Sequence, residues 1–136
     1  MKVLEEPKIK MPLDIDEQCL ELCNTLNRLP FVETYESCSG HGKYPYWIFF
    51  KCYDIGVLSR LGRCVERNYS DGNWEIVVDS CDVDPYGMFW LRTKSTLNND
   101  QLNESLKQLI ENIEYWFNDA FDKYFNNNMK DEKCNY

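Results

Sequence analysis

The sequence predicts an α+β fold, a two-layer sandwich in which helices cover one face of an antiparallel sheet of about four strands. Three observations predict it. Apolar residues recur at three- and four-residue steps in three segments, which is the period of a helix. Four shorter segments are rich in the aromatic and β-branched residues that strands prefer. Turn residues separate these strand segments in pairs, so the predicted order is helix, hairpin, helix, hairpin and long helix.

The first helix and the first hairpin occupy the N-terminal half. Apolar residues at helical spacing predict a helix over residues 15–28, with Asp14 as its cap, and Pro30 closes it. Residues 31–37 predict a strand, and residues 46–53 predict a second, aromatic strand. We expect this second strand to serve more as sheet core than as a ligand platform.

The second helix is expected to begin after the cap Asp54 and to run to about residue 68. One face is expected to be apolar and another to be basic and solvated. The apolar face would hold Ile55, Leu58, Leu61 and Val65, and the basic face Arg60, Arg63 and Arg67. The turn Asp71-Gly72 ends this region.

The second hairpin and a long helix complete the predicted domain. Alternating residues predict a third strand over 74–78, and residues 88–93 predict a fourth after the turn at 84–87. A helix over 99–126 is predicted from a continuous apolar stripe. The stripe consists of Leu102, Leu106, Leu109, Ile110, Ile113, Phe117, Phe121 and Tyr124.

Length and composition indicate one domain over residues 1–126 and a mobile polar tail over 127–136. The start of the chain lacks the apolar region of an export signal, and no run is long enough to span a bilayer. The seven cysteines are odd in number and irregularly spaced, as expected of free thiols. We therefore expect a soluble, cytoplasmic protein without a membrane partner.

The formal net charge of −8 disfavours sequence-independent binding along duplex DNA or RNA, which requires a basic surface. Residues 39–69 differ from the rest, because five basic and two acidic side chains give this segment a net charge of +3. This segment is therefore the favoured location for an anionic ligand.

The loop Ser37-Cys38-Ser39-Gly40-His41-Gly42-Lys43 opens the basic segment and holds the single histidine of the chain. Small side chains let backbone N–H groups converge on an anion, and lysine and arginine add positive charge. Aromatic side chains nearby would stack on a base. The predicted ligand-binding residues are Ser39, Gly40, His41, Gly42, Lys43, Tyr44, Trp47, Arg60 and Arg63. Arg92 and Lys94 from the last strand would supply further contacts.

The same residues permit a catalytic interpretation. Cys38 would act as a nucleophile and His41 as its base, with Asp79 or Asp82 orienting the histidine. The longer signatures that identify cysteine enzymes are absent from this sequence, so this interpretation ranks second.

Three other interpretations of the loop remain open. Cys38 and His41 would form half of a zinc site if Cys52 or Cys81 completed it, although a second close pair of ligands is missing from the sequence. The loop is also compatible with a plain glycine-rich turn. A protein-interaction module would instead use the acidic surface or the long C-terminal helix. We predict no resident metal or cofactor.

A short internal echo links the two hairpins. Glu36-Ser37-Cys38 precedes Pro45-Tyr46-Trp47, and Asp79-Ser80-Cys81 precedes Pro85-Tyr86-Gly87. Two such units would pair their hairpins about a pseudo-twofold axis.

The run from Leu26 to Gly42, LNRLPFVETYESCSGHG, resembles a pattern in small uncharacterised proteins of phages and bacteria. More distantly, Ser37-Cys38-Ser39-Gly40 resembles the Ser-Cys-Ser-Gly segment of the wybutosine-synthesis tRNA methyltransferase family, which uses S-adenosylmethionine. That family has an arginine after the glycine, where this chain has His41.

The phage resemblance implies an intracellular protein that binds a host component or sequesters a nucleotide signal of host defence. We therefore expect a small-ligand-binding protein, with a phosphorylated nucleotide as the ligand and no reaction required. The alternatives are a Cys/His-dependent enzyme acting on a nucleotide or RNA, and the protein-interaction module. The apolar surface also suffices for a homo-oligomer.

Overall fold

Regular secondary structure follows the predicted order of elements. The structure is a computed structural model that describes residues 16–66, 71–79 and 87–120. The elements are α1 (Glu17–Asn27), β1 (Val32–Cys38), β2 (Trp47–Cys52), α2 (Ile55–Glu66), β3 (Trp74–Asp79), β4 (Met88–Thr93) and α3 (Asn99–Tyr115). A π-helical turn, Trp116–Ala120, follows α3. The α+β class is confirmed.

The helix starts are fixed by polar caps. Asp16 caps α1 by accepting the N–H of Gln18, whereas the predicted cap Asp14 lies outside the described residues. Asp54 caps α2 as predicted, because its carboxylate accepts the N–H of Val57 at 3.0 Å. Each cap supplies an acceptor to an N–H group that has no partner within its own helix.

The four strands form one antiparallel sheet in the order β1-β2-β4-β3. Both predicted hairpins, β1–β2 and β3–β4, are therefore present. The second strands of the two hairpins, β2 and β4, pair with each other at the centre of the sheet. Side chains alternate between the faces of a strand, so every second residue points to the same side. The buried set on the inner face includes Val32, Thr34, Ile48, Phe50, Phe89, Leu91 and Trp74. These side chains join the buried residues of the helices in one core.

The sheet has the pseudo-twofold symmetry suggested by the sequence, but the equivalent residues differ from the predicted ones. The pairs Trp47↔Arg92 and Lys51↔Met88 end the central ladder, so a twofold axis between them relates Phe49 to Trp90. The same axis relates Lys51 to Arg92, Glu33 to Glu75 and Cys38 to Asp79. The predicted echo instead matched Glu36 to Asp79. Its partners Ser80 and Cys81 lie outside the described residues.

The orientation of α2 corrects one prediction. Leu61 and Val65 are buried as expected, but Ile55 is 80% exposed and Arg60 only 8%. The guanidinium of Arg60 lies over the ring of Trp116, 5.5 Å from its centroid. A guanidinium packs well on an indole because it is planar and weakly hydrated, so an arginine can occupy a helix face turned toward the protein.

The third helix lies between the other two. It packs against both α1 and α2, while α1 lies on β1 and α2 on β3. The predicted apolar stripe is buried from Leu102 to Phe117. The regular α-helix ends at Tyr115, earlier than predicted, and the π-helical turn continues it. Phe121, Tyr124 and the predicted tail at 127–136 lie outside the described residues. None of the helices in the described part combines the length and apolar character that spanning a bilayer requires.

A buried polar contact joins α1 to the sheet. Asn27, the last residue of α1, accepts the backbone N–H of Thr34 at 2.9 Å and donates to the hydroxyl of Thr34 at 2.7 Å. Asn27 is 3% exposed and Thr34 is 1% exposed, so water cannot replace either bond. This contact fixes the approach of β1 to the helix.

We expect Asn27→Ala to lower the free energy of unfolding by about 1–3 kcal/mol, because it leaves a buried N–H group without an acceptor. Urea unfolding followed by circular dichroism measures this change. Asn103→Ala is the matched control, because Asn103 is exposed in α3, and we expect its effect to stay within about 0.5 kcal/mol. Equal effects of the two substitutions would contradict the assigned role of Asn27.

Candidate ligand-binding site

The outer face of the sheet carries an aromatic row. It consists of Tyr35, Phe49, Trp90 and Trp47. Because side chains alternate along a strand, the residues between the buried ones point away from the helices. The prediction for the second strand was thus half right. Tyr46, Ile48, Phe50 and Cys52 are core residues, while Trp47 and Phe49 are half-buried on the outer face.

The rings of the aromatic row contact one another in sequence. The centroid distances are 6.4 Å for Tyr35–Phe49, 4.5 Å for Phe49–Trp90 and 5.1 Å for Trp90–Trp47. The two indoles are inclined at 70°, so they meet as the two walls of a corner. A flat ring placed in that corner stacks on one indole and meets the other with its edge, both favourable aromatic geometries.

An aromatic cleft opens at this corner, with a volume of about 470 Å³. It is lined by Tyr44, Pro45, Trp47, Glu75, Trp90, Arg92, Thr93 and Lys94. Its size falls within the usual range of small-molecule pockets. Tyr44 borders it with a side chain that is 67% exposed. The structure therefore brings two predicted stacking residues, Tyr44 and Trp47, together with the predicted cations Arg92 and Lys94.

The charges of the cleft are arranged around one ion pair. Arg92 donates through Nε to the carboxylate of Glu75 at 2.8 Å, and the two residues face each other across β3 and β4. The side chain of Arg92 keeps 46% of its surface exposed. Lys94 follows β4 and is exposed at the rim. An anion in the cleft would meet two cations and one carboxylate.

The wall of the cleft that holds Tyr44 is anchored to the sheet. Tyr46 and Thr93 exchange two hydrogen bonds: Thr93 donates its N–H to the carbonyl of Tyr46 at 2.9 Å, and the Thr93 hydroxyl accepts the N–H of Tyr46 at 3.0 Å. Both residues are buried. The segment that precedes β2 is thus held against β4, which sets the distance between the two sides of the cleft.

The loop at residues 39–43 forms a left-handed turn. Gly40, His41 and Gly42 have φ angles of 82°, 52° and 74°, a region that glycine enters easily and other residues rarely. A Cβ atom on Gly40 would lie 3.1 Å from the carbonyl oxygen of Pro45, so the glycine is also required by space. The glycines flanking His41 therefore have a structural reason to be there.

Most backbone donors of this loop already have acceptors within it. The N–H of Gly40 donates to the sulfur of Cys38, and that of His41 to the hydroxyl of Ser39. The N–H groups of Lys43 and Tyr44 both donate to the carbonyl of Gly40, at 2.9 and 3.0 Å. An anion would have to displace these bonds, so the anion-cradle prediction gains no support from this geometry.

A carboxylate also lies beside the loop. Asp16 accepts the hydroxyl of Ser39 at 2.5 Å, and its carboxylate also lies 3.7 Å from Nδ1 of His41. The hydrogen bond from Ser39 is the main reason that the pKa of the Asp16 carboxyl lies below its usual value; the N–H of Gln18 and the charge of His41 lower it further. Asp16 therefore ties the loop to the start of α1.

The predicted arginine clamp is not assembled around the loop. The loop lies near the start of α3, because Asp16 contacts it and the adjacent Gln18 donates to Asn99. Arg60 lies over Trp116, beyond the other end of α3. The 17 residues of α3 separate these two ends by about 25 Å. Arg63 is exposed in the last turn of α2.

The predicted catalytic residues are also separated. Cys38 faces Trp47 at one end of β2, whereas Asp79 faces Met88 at the opposite end of the sheet. The carboxylate of Asp79 instead accepts Nε1–H of Trp90 at 3.1 Å. The acid that lies beside His41 is Asp16, which was predicted only as part of the first helix. Asp82 lies outside the described residues.

The other described thiols are poor nucleophiles. Burial raises the pKa of Cys19 to about 11 and those of Cys23 and Cys64 to about 12. The five described cysteines are free, and only Cys38 among them is less than fully buried. Within the described residues, no three or more His, Cys, Asp or Glu side chains are grouped as metal ligands would be. Cys81, one of the proposed zinc ligands, lies outside these residues.

A second groove lies between α1 and α3 and is about 790 Å³ in volume. Its lining includes the carboxylates of Glu17, Glu21, Glu111 and Glu114. Lys107 is the basic residue among its lining side chains. The groove is therefore acidic, in contrast to the aromatic cleft.

Sequence reasoning missed Trp90 and Glu75 as candidate site residues. The alternation in MFWLRT carried a usable signal, because it places Trp90 and Arg92 on the face opposite the core residues Phe89 and Leu91. This alternation within one strand does not predict that β4 pairs with β2, so it could not place Trp90 beside Trp47.

No protein-family model, curated protein or solved structure matches this chain. The two resemblances stated from the sequence stay predictions.

Because the pKa of Asp16 is lowered, its carboxylate stabilises the fold above the unfolded-state pKa of about 4, and this stabilisation disappears as the pH falls through the folded-state value. We expect Asp16→Asn to lower the free energy of unfolding by about 1–2 kcal/mol at pH 7 and by much less at pH 2.5. Urea unfolding at both pH values measures the difference. Glu104→Gln, an exposed change in α3, is the control; a pH-independent effect of Asp16→Asn would refute the assignment.

Proposed function

We propose that this protein binds a small phosphorylated nucleotide in the aromatic cleft and holds it without chemical change. The observation that carries the proposal is the corner of Trp47 and Trp90 beside the cations Arg92 and Lys94. A nucleotide has the two matching parts, a flat ring and an anion joined by a sugar.

The base is expected to stack in the corner of the two indoles. Stacking of a base on an aromatic side chain contributes about 1–3 kcal/mol and tolerates different bases, because every base has a π face. Tyr44 at the rim offers a third ring. The cleft therefore supports binding of a planar ring more strongly than recognition of one particular base.

The phosphate is expected to lie at Arg92 and Lys94. The planar guanidinium of Arg92 is suited to a phosphate, since it presents several N–H donors in a fixed geometry. Arg92 already donates one of them to Glu75, so a phosphate would share or replace this carboxylate. The ion pair keeps the guanidinium in place on the outer face before the ligand arrives.

Sequestration of a nucleotide signal, as the resemblance to phage proteins implies, is part of this proposal. It requires binding alone. The described residues that line the cleft are aromatic, charged or hydroxyl-bearing side chains and Pro45, which supply stacking surfaces and phosphate donors.

One observation favours an enzyme as the second candidate. Cys38 lies opposite Trp47 on the outer face, next to the cleft, and His41 lies 3.7 Å from Asp16 in the adjoining loop. In this alternative the Cys38 thiol would pass its proton to His41 and attack the phosphorus of the nucleotide, the nucleoside oxygen would leave with that proton, and water would then release the phosphate from sulfur. Asp16 would take the orienting position first assigned to Asp79. Cys38→Ser separates the two candidates, because it preserves shape but removes the thiolate.

We expect Trp90→Leu to weaken the binding of nucleoside 5′-monophosphates by about tenfold or more, because it removes one stacking wall. Isothermal titration calorimetry with AMP and UMP measures the affinity. Tyr115→Leu is the control, since Tyr115 is a 56% exposed aromatic residue at the end of α3. Equal binding by wild type, Trp90→Leu and Tyr115→Leu would exclude the cleft, and turnover of the nucleotide that Cys38→Ser abolishes would favour the enzyme.

Substitutions in the Arg92–Glu75 ion pair give a second test, because the two substitutions should change the affinity for AMP in opposite directions. Arg92→Gln should weaken AMP binding, because it removes a phosphate donor, whereas Glu75→Gln should strengthen it, because it removes a competing and repelling carboxylate. We expect changes of about 3- to 20-fold in each direction. Adenosine, which has no phosphate, is the control and should bind both variants alike. If Arg92→Gln strengthened AMP binding and Glu75→Gln weakened it, the phosphate would not lie at Arg92, and its assigned position would be wrong.

A further inference from the structure

The aromatic row extends beyond the cleft. Tyr35 and Phe49 continue it toward the β1 edge, and neither residue lines the cleft. Lys51 lies on the same face, with its ammonium 5.3 Å from the centre of the Tyr53 ring. We call Tyr35, Phe49, Lys51 and Tyr53 the second station.

The second station repeats the chemistry of the cleft. The pseudo-twofold axis relates Phe49 to Trp90, Lys51 to Arg92 and Glu33 to Glu75. Each half of the outer face therefore combines an aromatic ring, a cation and a carboxylate at equivalent positions. Glu33 accepts the hydroxyls of Tyr35 and Tyr53 at 3.2 and 3.3 Å, which fixes both rings at the edge of the sheet.

One phosphate cannot serve both cations. Lys51 and Arg92 lie at opposite ends of the central strand pair, four residues apart along the ladder, which is about 13 Å. Their head groups also diverge. Arg92 turns toward Glu75 in β3, while Lys51 lies over Tyr53, whose hydroxyl donates to β1.

We infer that the ligand is an unpaired nucleic-acid strand of at least two nucleotides, lying diagonally across the sheet. This inference rests on the proposed nucleotide-binding function of the cleft. One base occupies the corner of Trp47 and Trp90, and the next stacks at Tyr35 and Phe49. Successive phosphates meet Arg92 and Lys51. An open sheet face with a row of rings accommodates unstacked bases, as other single-strand-binding surfaces do.

The charge of the protein favours a short single strand over a duplex. A duplex is bound mainly through its phosphates and requires a dominant basic surface, which a chain of net charge −8 lacks. Its bases are also stacked inside the helix and cannot reach the aromatic row. Stacking on rings depends less on net charge, so it suits an acidic protein.

The test compares AMP with the 5′-phosphorylated dinucleotide pApA by calorimetry on the wild-type protein. We expect pApA to bind about tenfold tighter or more, because it adds one stacked base and one phosphate contact. A pA analogue that carries an abasic second sugar and the same phosphates separates stacking from charge. It should lose most of the gain. A ten-base-pair duplex should bind no tighter than AMP.

Variants of the second station provide the matched protein-side test. Tyr35→Leu and Lys51→Gln should each reduce the affinity for pApA toward that for AMP and leave AMP binding unchanged, since neither residue lines the cleft. Trp90→Leu should weaken both ligands. Lys51→Gln alters a side chain at the surface, so it remains informative if Tyr35→Leu lowers the stability of the protein.

The outcomes distinguish the two proposals. If AMP binds and pApA binds no tighter, the second station takes no base, and this inference fails while the proposed function stands. If the abasic analogue binds as tightly as pApA, the gain comes from charge and the stacking assignment is overturned. If the duplex binds as tightly as pApA, the ligand is not a single strand. If neither AMP nor pApA binds, both proposals fail.

Discussion

The pairing of β2 with β4 is the constraint on which the rest of the structure depends. Phe49 stands opposite Trp90, and Ile48 opposite Leu91, at the centre of the sheet. With this register the first pair lies on the outer face and the second in the core. A slip of one residue in either strand would move its whole apolar set to the opposite face. The same pairing therefore builds the core and exposes the aromatic row.

The loop around His41 was predicted to bind an anion directly, but in the structure it is a turn that positions the residues beside it. His41 lies in a left-handed turn between β1 and β2, and Asp16 ties that turn to the start of α1 through Ser39. The turn then leads into Tyr44 and Pro45, which border the cleft. The loop contributes to the site mainly by placing its neighbours, since most of its own donors are engaged internally.

Electrostatics on the outer face are local. The chain is acidic overall, yet Arg92 and Lys51 are held among aromatic rings, and the carboxylates of Glu75 and Glu33 lie close by. Such an arrangement keeps two cations on the surface without making it broadly basic. Because each cation lies close to a carboxylate, the positive potential of this face extends over only a short range.

The sequence by itself determined the order and approximate bounds of the helices and strands, because helical and strand periodicities are local and the predicted cap Asp54 stands beside the helix that it caps. It also determined the α+β class and both hairpins. It placed Tyr44, Trp47, Arg92 and Lys94 among the candidates for stacking or anion contacts, since residue type alone indicates that chemistry. The tertiary structure decided which candidates meet. Arg60 lies inward, over the ring of Trp116, and Asp79 lies at the far end of the sheet. Asp16 contacts the loop at residues 39–43, and Trp90 forms one wall of the cleft. The physical reason is that helix rotation and strand order follow from packing between distant segments, which no local pattern records.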